Sequence, residues 1–148
     1  MTLNERLTQE LKAAMVARDA DRVGALRLLK AALGYVAIEK KVDALGDAEF
    51  VAVVQKEVKK RQDAAAQYEQ GGRPELAAKE KAEIAVLQGF LPQPLSAEEL
   101  EALVRGAIAE LGATTKKDMG PVIKAVQAKA AGRADGKTVS TLVGRLLP

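Results

Sequence analysis

An all-α, multihelical fold is what this chain predicts, and three observations carry the prediction. Much of its apolar content is alanine, the best helix former, whereas aromatics are 3% of residues and β-branched residues seldom cluster outside Val51–Val54. Apolar residues recur at three- and four-residue spacing along most of the chain. Helix-start signals precede those stripes, with Thr2 and Glu5, and again Ser96 and Glu99, spaced as capping boxes.

The elements follow in order. Leu3, Leu7, Leu11, Ala14 and Met15 give a first stripe. Asp19 and Asp21 punctuate it, and Val23, Leu26, Leu29, Leu33 and Val36 give a second. Residues 42–46 read as a loop, with Asp47 as the next cap. A third helix runs through Phe50, Val54, Val58, Ala65 and Tyr68 and stops at Gly71 and Gly72. Pro74 suits the first position of a fourth, where a missing N–H costs nothing, and Glu75 and Lys79 are spaced to pair on its solvated side. Pro92 and Pro94 cannot continue a helix, so the chain divides there into an N-terminal subdomain, 1–91, and a C-terminal subdomain, 96–148. A fifth helix runs from Ser96 to Gly112. A sixth opens at Thr115 or at Gly120, with Pro121 leaving its start ambiguous. A seventh is capped by Asp135 and carries Val139, Leu142, Val143 and Leu146.

With 148 residues, 48% hydrophobic and 29% charged, the chain can bury a core as one domain or two small ones. It contains no cysteine and no histidine, which excludes disulfides, thiolate nucleophiles, Cys/His metal sites and imidazole acid–base catalysis. Charges at Glu5, Arg6, Glu10 and Lys12 interrupt any signal-peptide core, and no run is long enough for a membrane span, so a cytoplasmic protein without membrane contact is expected.

No catalytic constellation emerges, and neither a cofactor nor a metal is expected. The two serines, Ser96 and Ser140, read as a cap and an ordinary helix position, and no lysine stands at Ser-x-x-Lys spacing. Glu80 with Glu83, and Glu98 with Glu99, read as surface charge and capping. Neither GxxxxGK[ST] nor GxGxxG occurs, which argues against ATP use by this chain alone.

Charge asymmetry is more informative. From Leu111 to Pro148 there are seven basic residues and two acidic ones, a net +5 against +3 for the whole chain. That balance fits a polyanion contact, and it also fits a helical tail that solvates itself with lysine. Lys116 and Lys117 at one predicted helix start, and Arg133, Gly136 and Lys137 at the next, suit a phosphate backbone, with N–H groups at the helix starts as further donors. No aromatic residue follows Leu111, so stacking on single-stranded bases is a poor fit, and shape and phosphate recognition of folded RNA is a better one. A second basic group, Lys56, Lys59, Lys60 and Arg61, is offset by Glu57 and Asp63 and reads as a solvated face.

Lys116-Lys-Asp-Met-Gly120 followed by Gly132-Arg-Ala-Asp-Gly-Lys137 resembles the signature of the GatB/YqeY family. Arg27-Leu-Leu-Lys-Ala-Ala32, Lys60-Arg-Gln-Asp63, Tyr68-Glu-Gln-Gly-Gly-Arg73, Lys79-Glu80 and Phe90-Leu-Pro92 resemble further positions of that family in the same order, so the likeness covers essentially the whole chain. Pro121 departs from it, since lysine is common there, and one phosphate contact is lost. The resemblance implies two all-α subdomains and an association with tRNA, because the related tail domain of the aminoacyl-tRNA amidotransferase GatB subunit is thought to contact tRNA. Expected site residues are Lys116, Lys117, Lys124, Arg133 and Lys137. Expected partners are tRNA and possible docking sites on an aminoacyl-tRNA synthetase or amidotransferase, with no DNA. The family label also implies carbon–nitrogen ligase activity with glutamine as amido donor. That activity belongs to the full amidotransferase assembly, and no residue of this chain matches its Ser-Lys chemistry or ATP site. Three expectations therefore stand side by side: a non-catalytic tRNA-associated module, a protein-docking module, and a participant in glutamine-dependent amide transfer.

Overall fold

The Thr2 hydroxyl accepts the Glu5 N–H at 3.1 Å while the Glu5 carboxylate accepts the Thr2 N–H at 3.1 Å. This reciprocal cap starts α1 (Leu3–Val16) in the computed structural model, which describes residues 1–148. Asp19 caps α2 (Ala20–Lys40) by accepting the Arg22 N–H at 3.2 Å. Then come α3 (Asp47–Gln70) and α4 (Pro74–Gln88), with Pro74 in the first turn. The rest of the chain holds α5 (Ala97–Leu111), a 3₁₀ turn (Lys116–Asp118), α6 (Met119–Ala130) and α7 (Gly136–Leu146). All regular structure is helical.

Asp47 does not play the expected capping part. Gly46 occupies the cap position of α3 without a side-chain bond, and the Asp47 carboxylate accepts the Leu3 N–H at 3.0 Å. One carboxylate thus lies in the first turn of α3 and satisfies a free donor of α1, a use that only the tertiary fold creates. Sequence spacing also misassigns charge on α4. Glu75 and Lys79 form no ion pair. Lys81 instead pairs with Glu69 and Glu83 with Arg61, both on α3. The Arg61 and Glu83 side chains are only 13% and 14% exposed, so Glu83 is an inter-helix contact rather than solvated surface, and the neighbouring Glu80 has a buried carboxylate oxygen without a hydrogen-bond partner.

Two compact units result, Met1–Leu91 and Pro92–Pro148. The first is a four-helix unit with a core of Leu7, Leu11, Leu26, Leu29, Leu33, Phe50, Val54, Val58, Leu87 and Phe90. Phe50 and Phe90 pack tilted with ring centroids 5.8 Å apart, and the Arg6 guanidinium lies 4.8 Å from the Phe90 centroid while donating to the Gly89 carbonyl at 2.6 Å. The second unit packs α5, α6 and α7 around Leu100, Val104, Val122, Val126, Val139, Val143 and Leu147. No helix is long and apolar enough to cross a membrane.

Candidate nucleic-acid interface

The second unit carries the basic residues, and its local chemistry decides which of them are available. Thr115 starts the 3₁₀ turn: its hydroxyl accepts the Lys117 N–H at 3.3 Å, and Asp118 accepts the N–H groups of Thr114 and Thr115 at 3.0 and 3.3 Å. α6 begins directly afterwards at Met119, which resolves the ambiguity at Pro121. The proline lies within the first turn, where its absent N–H leaves no bond unmade. Val122, Val126 and Ala130 bury one stripe of α6, and Lys124 stands exposed on the other side.

α6 and α7 run antiparallel. A β-carbon at Gly136, the first residue of α7, would stand 3.1 Å from Gln127 Nε2, and one at Gly144, near its end, 3.5 Å from Met119 Cε. The start of α6 therefore lies beside the end of α7, and its later half beside the start of α7. This geometry sorts the expected site residues. Lys116 and Lys117 occupy one end of the helix pair, Lys137 is at the start of α7 towards the other, and Lys124 lies between. With twelve residues in α6, about 18 Å of helix separates the ends. Along the helix axes these cations are spread out rather than clustered.

Arg145, in the last turn of α7, is next to Gly144, whose neighbour is Met119, so it belongs to the Lys116–Lys117 end. It is exposed and unpaired. Linear spacing hides it, since 28 residues separate it from Lys117. The only sequence signal that includes it is the charge count.

Arg133 differs from the four lysines. Its Nε donates to the Gln93 carbonyl at 2.9 Å, a terminal nitrogen lies 3.8 Å from the Glu99 carboxylate, and its own carbonyl accepts the Leu95 N–H at 2.8 Å. Arg133 holds the segment that leads into α5, and its guanidinium is partly committed. Lys129 is likewise committed, to Glu110 at 2.5 Å. By contrast, Lys116, Lys117, Lys124 and Lys137 form no ion pair and are exposed.

Of the helix starts expected to offer N–H groups to phosphate, that of α7 is capped by a carboxylate of the chain, while α6 has no side-chain cap. Asp135 caps α7 by accepting the Thr138 N–H at 2.6 Å, whereas Asp118 accepts the N–H groups of Thr114 and Thr115, just before the 3₁₀ turn, and makes no cap bond to α6. The Thr138 backbone and hydroxyl donors, with the Lys137 charge, hold the Asp135 carboxyl below the usual carboxylate range. An anion arriving at the start of α7 would meet a carboxylate, so side-chain ammonium groups are the main phosphate donors there.

Elsewhere, no three His, Cys, Asp or Glu residues stand where they could hold a metal ion. In the first unit, Lys60 pairs with Glu57 at 3.6 Å and Arg61 is taken by Glu83, while Lys56 and Lys59 are unpaired. Glu49, whose carboxyl the Lys40 ammonium holds below its usual value, is kept ionised, the opposite of what a general acid needs.

Residues 4–147 match the family model described as Yqey-like protein. No curated protein matches the chain. The match spans nearly all of the sequence, and the chain belongs to the Yqey-like family.

Proposed function

For this member of the Yqey-like family, we propose a non-catalytic role in binding folded RNA of the tRNA class through its second unit, in association with a tRNA-dependent amidotransferase or synthetase. One observation carries the reading: five unpaired, exposed cations (Lys116, Lys117, Lys124, Lys137 and Arg145) lie along the α6–α7 pair over about 18 Å. Backbone charge on a nucleic-acid duplex recurs every ~2 Å of axis, so a line of that length addresses several phosphates at once. No aromatic residue lies in this unit, which favours recognition of shape and phosphate over stacking on splayed bases. Arg133 contributes by fixing the segment from Gln93 to Leu95, with part of its charge left for the RNA.

Filter binding with purified tRNA tests this. Wild-type protein binds tRNA in preference to random single-stranded RNA. Reversing Lys116, Lys117 and Lys124 to glutamate should abolish binding without lowering the melting temperature, because all three side chains are exposed and form no ion pair. Reversing Lys59 and Lys60 leaves binding largely intact. Equal loss from both sets would refute a site on the second unit. Amide transfer by the chain itself is the competing reading, and turnover of glutamine and ATP by partner-free protein, lost on replacing one of its residues, would establish it.

A further inference from the structure

α2 carries two apolar stripes, and only one of them faces the core. Leu26, Leu29, Leu33 and Ala37 are buried inward. Gly24, Leu28, Ala31, Tyr35 and Ile38 repeat at spacings of four, three, four and three along the opposite side. Every one of these five is exposed, with Leu28 at 52%, Tyr35 at 71% and Ile38 at 74%. Alternating spacings of three and four form the seam by which one helix packs lengthwise on another. Scattered surface leucines need no explanation, but large apolar side chains in seam register do.

We propose that this seam is a self-association surface, on which α2 of a second copy lies antiparallel. The seam is self-complementary, as a twofold interface requires. Leu28, Ala31, Tyr35 and Ile38 are symmetric about position 33: pairing two copies antiparallel sets Leu28 against Ile38 and Tyr35 against Ala31. Each layer then combines two medium side chains or a large one with a small one. A parallel pairing would stack Tyr35 on Tyr35 and Ala31 on Ala31, leaving an overfull layer beside an empty one. The positions flanking the dyad are Ala32 and Gly34, whose size permits close approach. A β-carbon at Gly34 would meet nothing within 4 Å in the monomer. At either end, Arg27 of one copy comes level with Glu39 of the other, and neither residue is paired within its own chain.

The area sets the strength. The paired stretch, Leu28–Ile38, is eleven residues and extends about 16 Å, and a strip about 10 Å wide falls well short of the ~800 Å² per partner of a standard interface. The dimer is therefore weak and concentration-dependent. This surface uses other residues than the RNA reading, so either can fail alone.

Sedimentation equilibrium of the full chain from about 10 µM to about 1 mM should show monomer passing to dimer as concentration rises. The absence of native cysteine supplies a second measurement. With oxidised glutathione added as oxidant, Gly34→Cys, next to the dyad, should form a disulfide-linked dimer about tenfold faster than Gly106→Cys, an exposed helical glycine of the second unit that is also free of neighbours. Adding Tyr35→Glu and Ile38→Glu should remove both signals with the circular dichroism melt unchanged. A protein that stays monomeric to 1 mM, a Gly34→Cys rate no faster than the control, or a folded Tyr35→Glu/Ile38→Glu variant that still dimerises would each overturn the proposal. If the double glutamate variant unfolds, the two single-cysteine rates still decide it.

Discussion

Asp135 accepts N–H donors at the start of α7, and its ionised form is what the fold stabilises. Its folded-state pKa lies below the ordinary 3.8, so the contribution is complete above that value and disappears as the pH falls through the folded one. Asp135→Ala should cost about 1 kcal/mol at neutral pH, as loss of a helix cap does. Asp135→Asn should keep the cap yet remove part of the stability loss between neutral and strongly acidic pH. Urea denaturation of the three proteins at pH 7 and pH 3 checks both outcomes. The Arg61–Glu83 pair makes a different demand. Glu83→Ala leaves a largely buried guanidinium without its carboxylate and should destabilise by about 1–3 kcal/mol, whereas exposed Glu75→Ala should change stability by less than about 0.5 kcal/mol. Caps of this kind were legible in the sequence because their partners are two or three residues away. Asp47, Glu83 and Arg133 were not, because the atoms they serve are 44, 22 and 40 positions away and meet them only in the fold.

The turn between α6 and α7 stores strain at the scale of an element. Ala131 closes α6 at φ 48° and Gly132 follows at φ 85°, two successive left-handed residues of which only one is glycine. A side chain in that region is strained, so Ala131→Gly should stabilise the protein by about 0.5–1 kcal/mol, read as a shift in the denaturation midpoint. Gly112, at φ 62° after α5, makes the converse case, and Gly112→Ala should destabilise by about 1 kcal/mol. Gly112 was readable as a helix stop from its place after the last apolar residue. Ala131 carries no such signal, because alanine is the residue least expected to end a helix. Helix existence was likewise legible from periodicity throughout. The covered stripe of α2 was legible too, since Leu26, Leu29 and Leu33 are the residues buried, but the second, outward seam was not, because glycine and alanine interrupt its apolar signal.

At the scale of the whole molecule, the basic excess of the last 38 residues was legible as a count, but its arrangement was not. Antiparallel packing of α6 on α7 spreads the lysines over two ends and brings Arg145 to one of them, while Glu110 on α5 takes Lys129, and Gln93 and Glu99 take much of Arg133. With the start of α7 closed by Asp135, side-chain cations are the main phosphate donors of this unit, and binding should be almost wholly electrostatic. The dependence of tRNA affinity on salt tests that claim most directly. With three to five phosphates engaged, log K should fall linearly with log salt at a slope of about −2 to −4, and Lys117→Glu with Lys137→Glu should make the slope shallower by about 1 to 2. An affinity independent of salt, or a slope that the double reversal leaves unchanged, would contradict an RNA interface along α6 and α7.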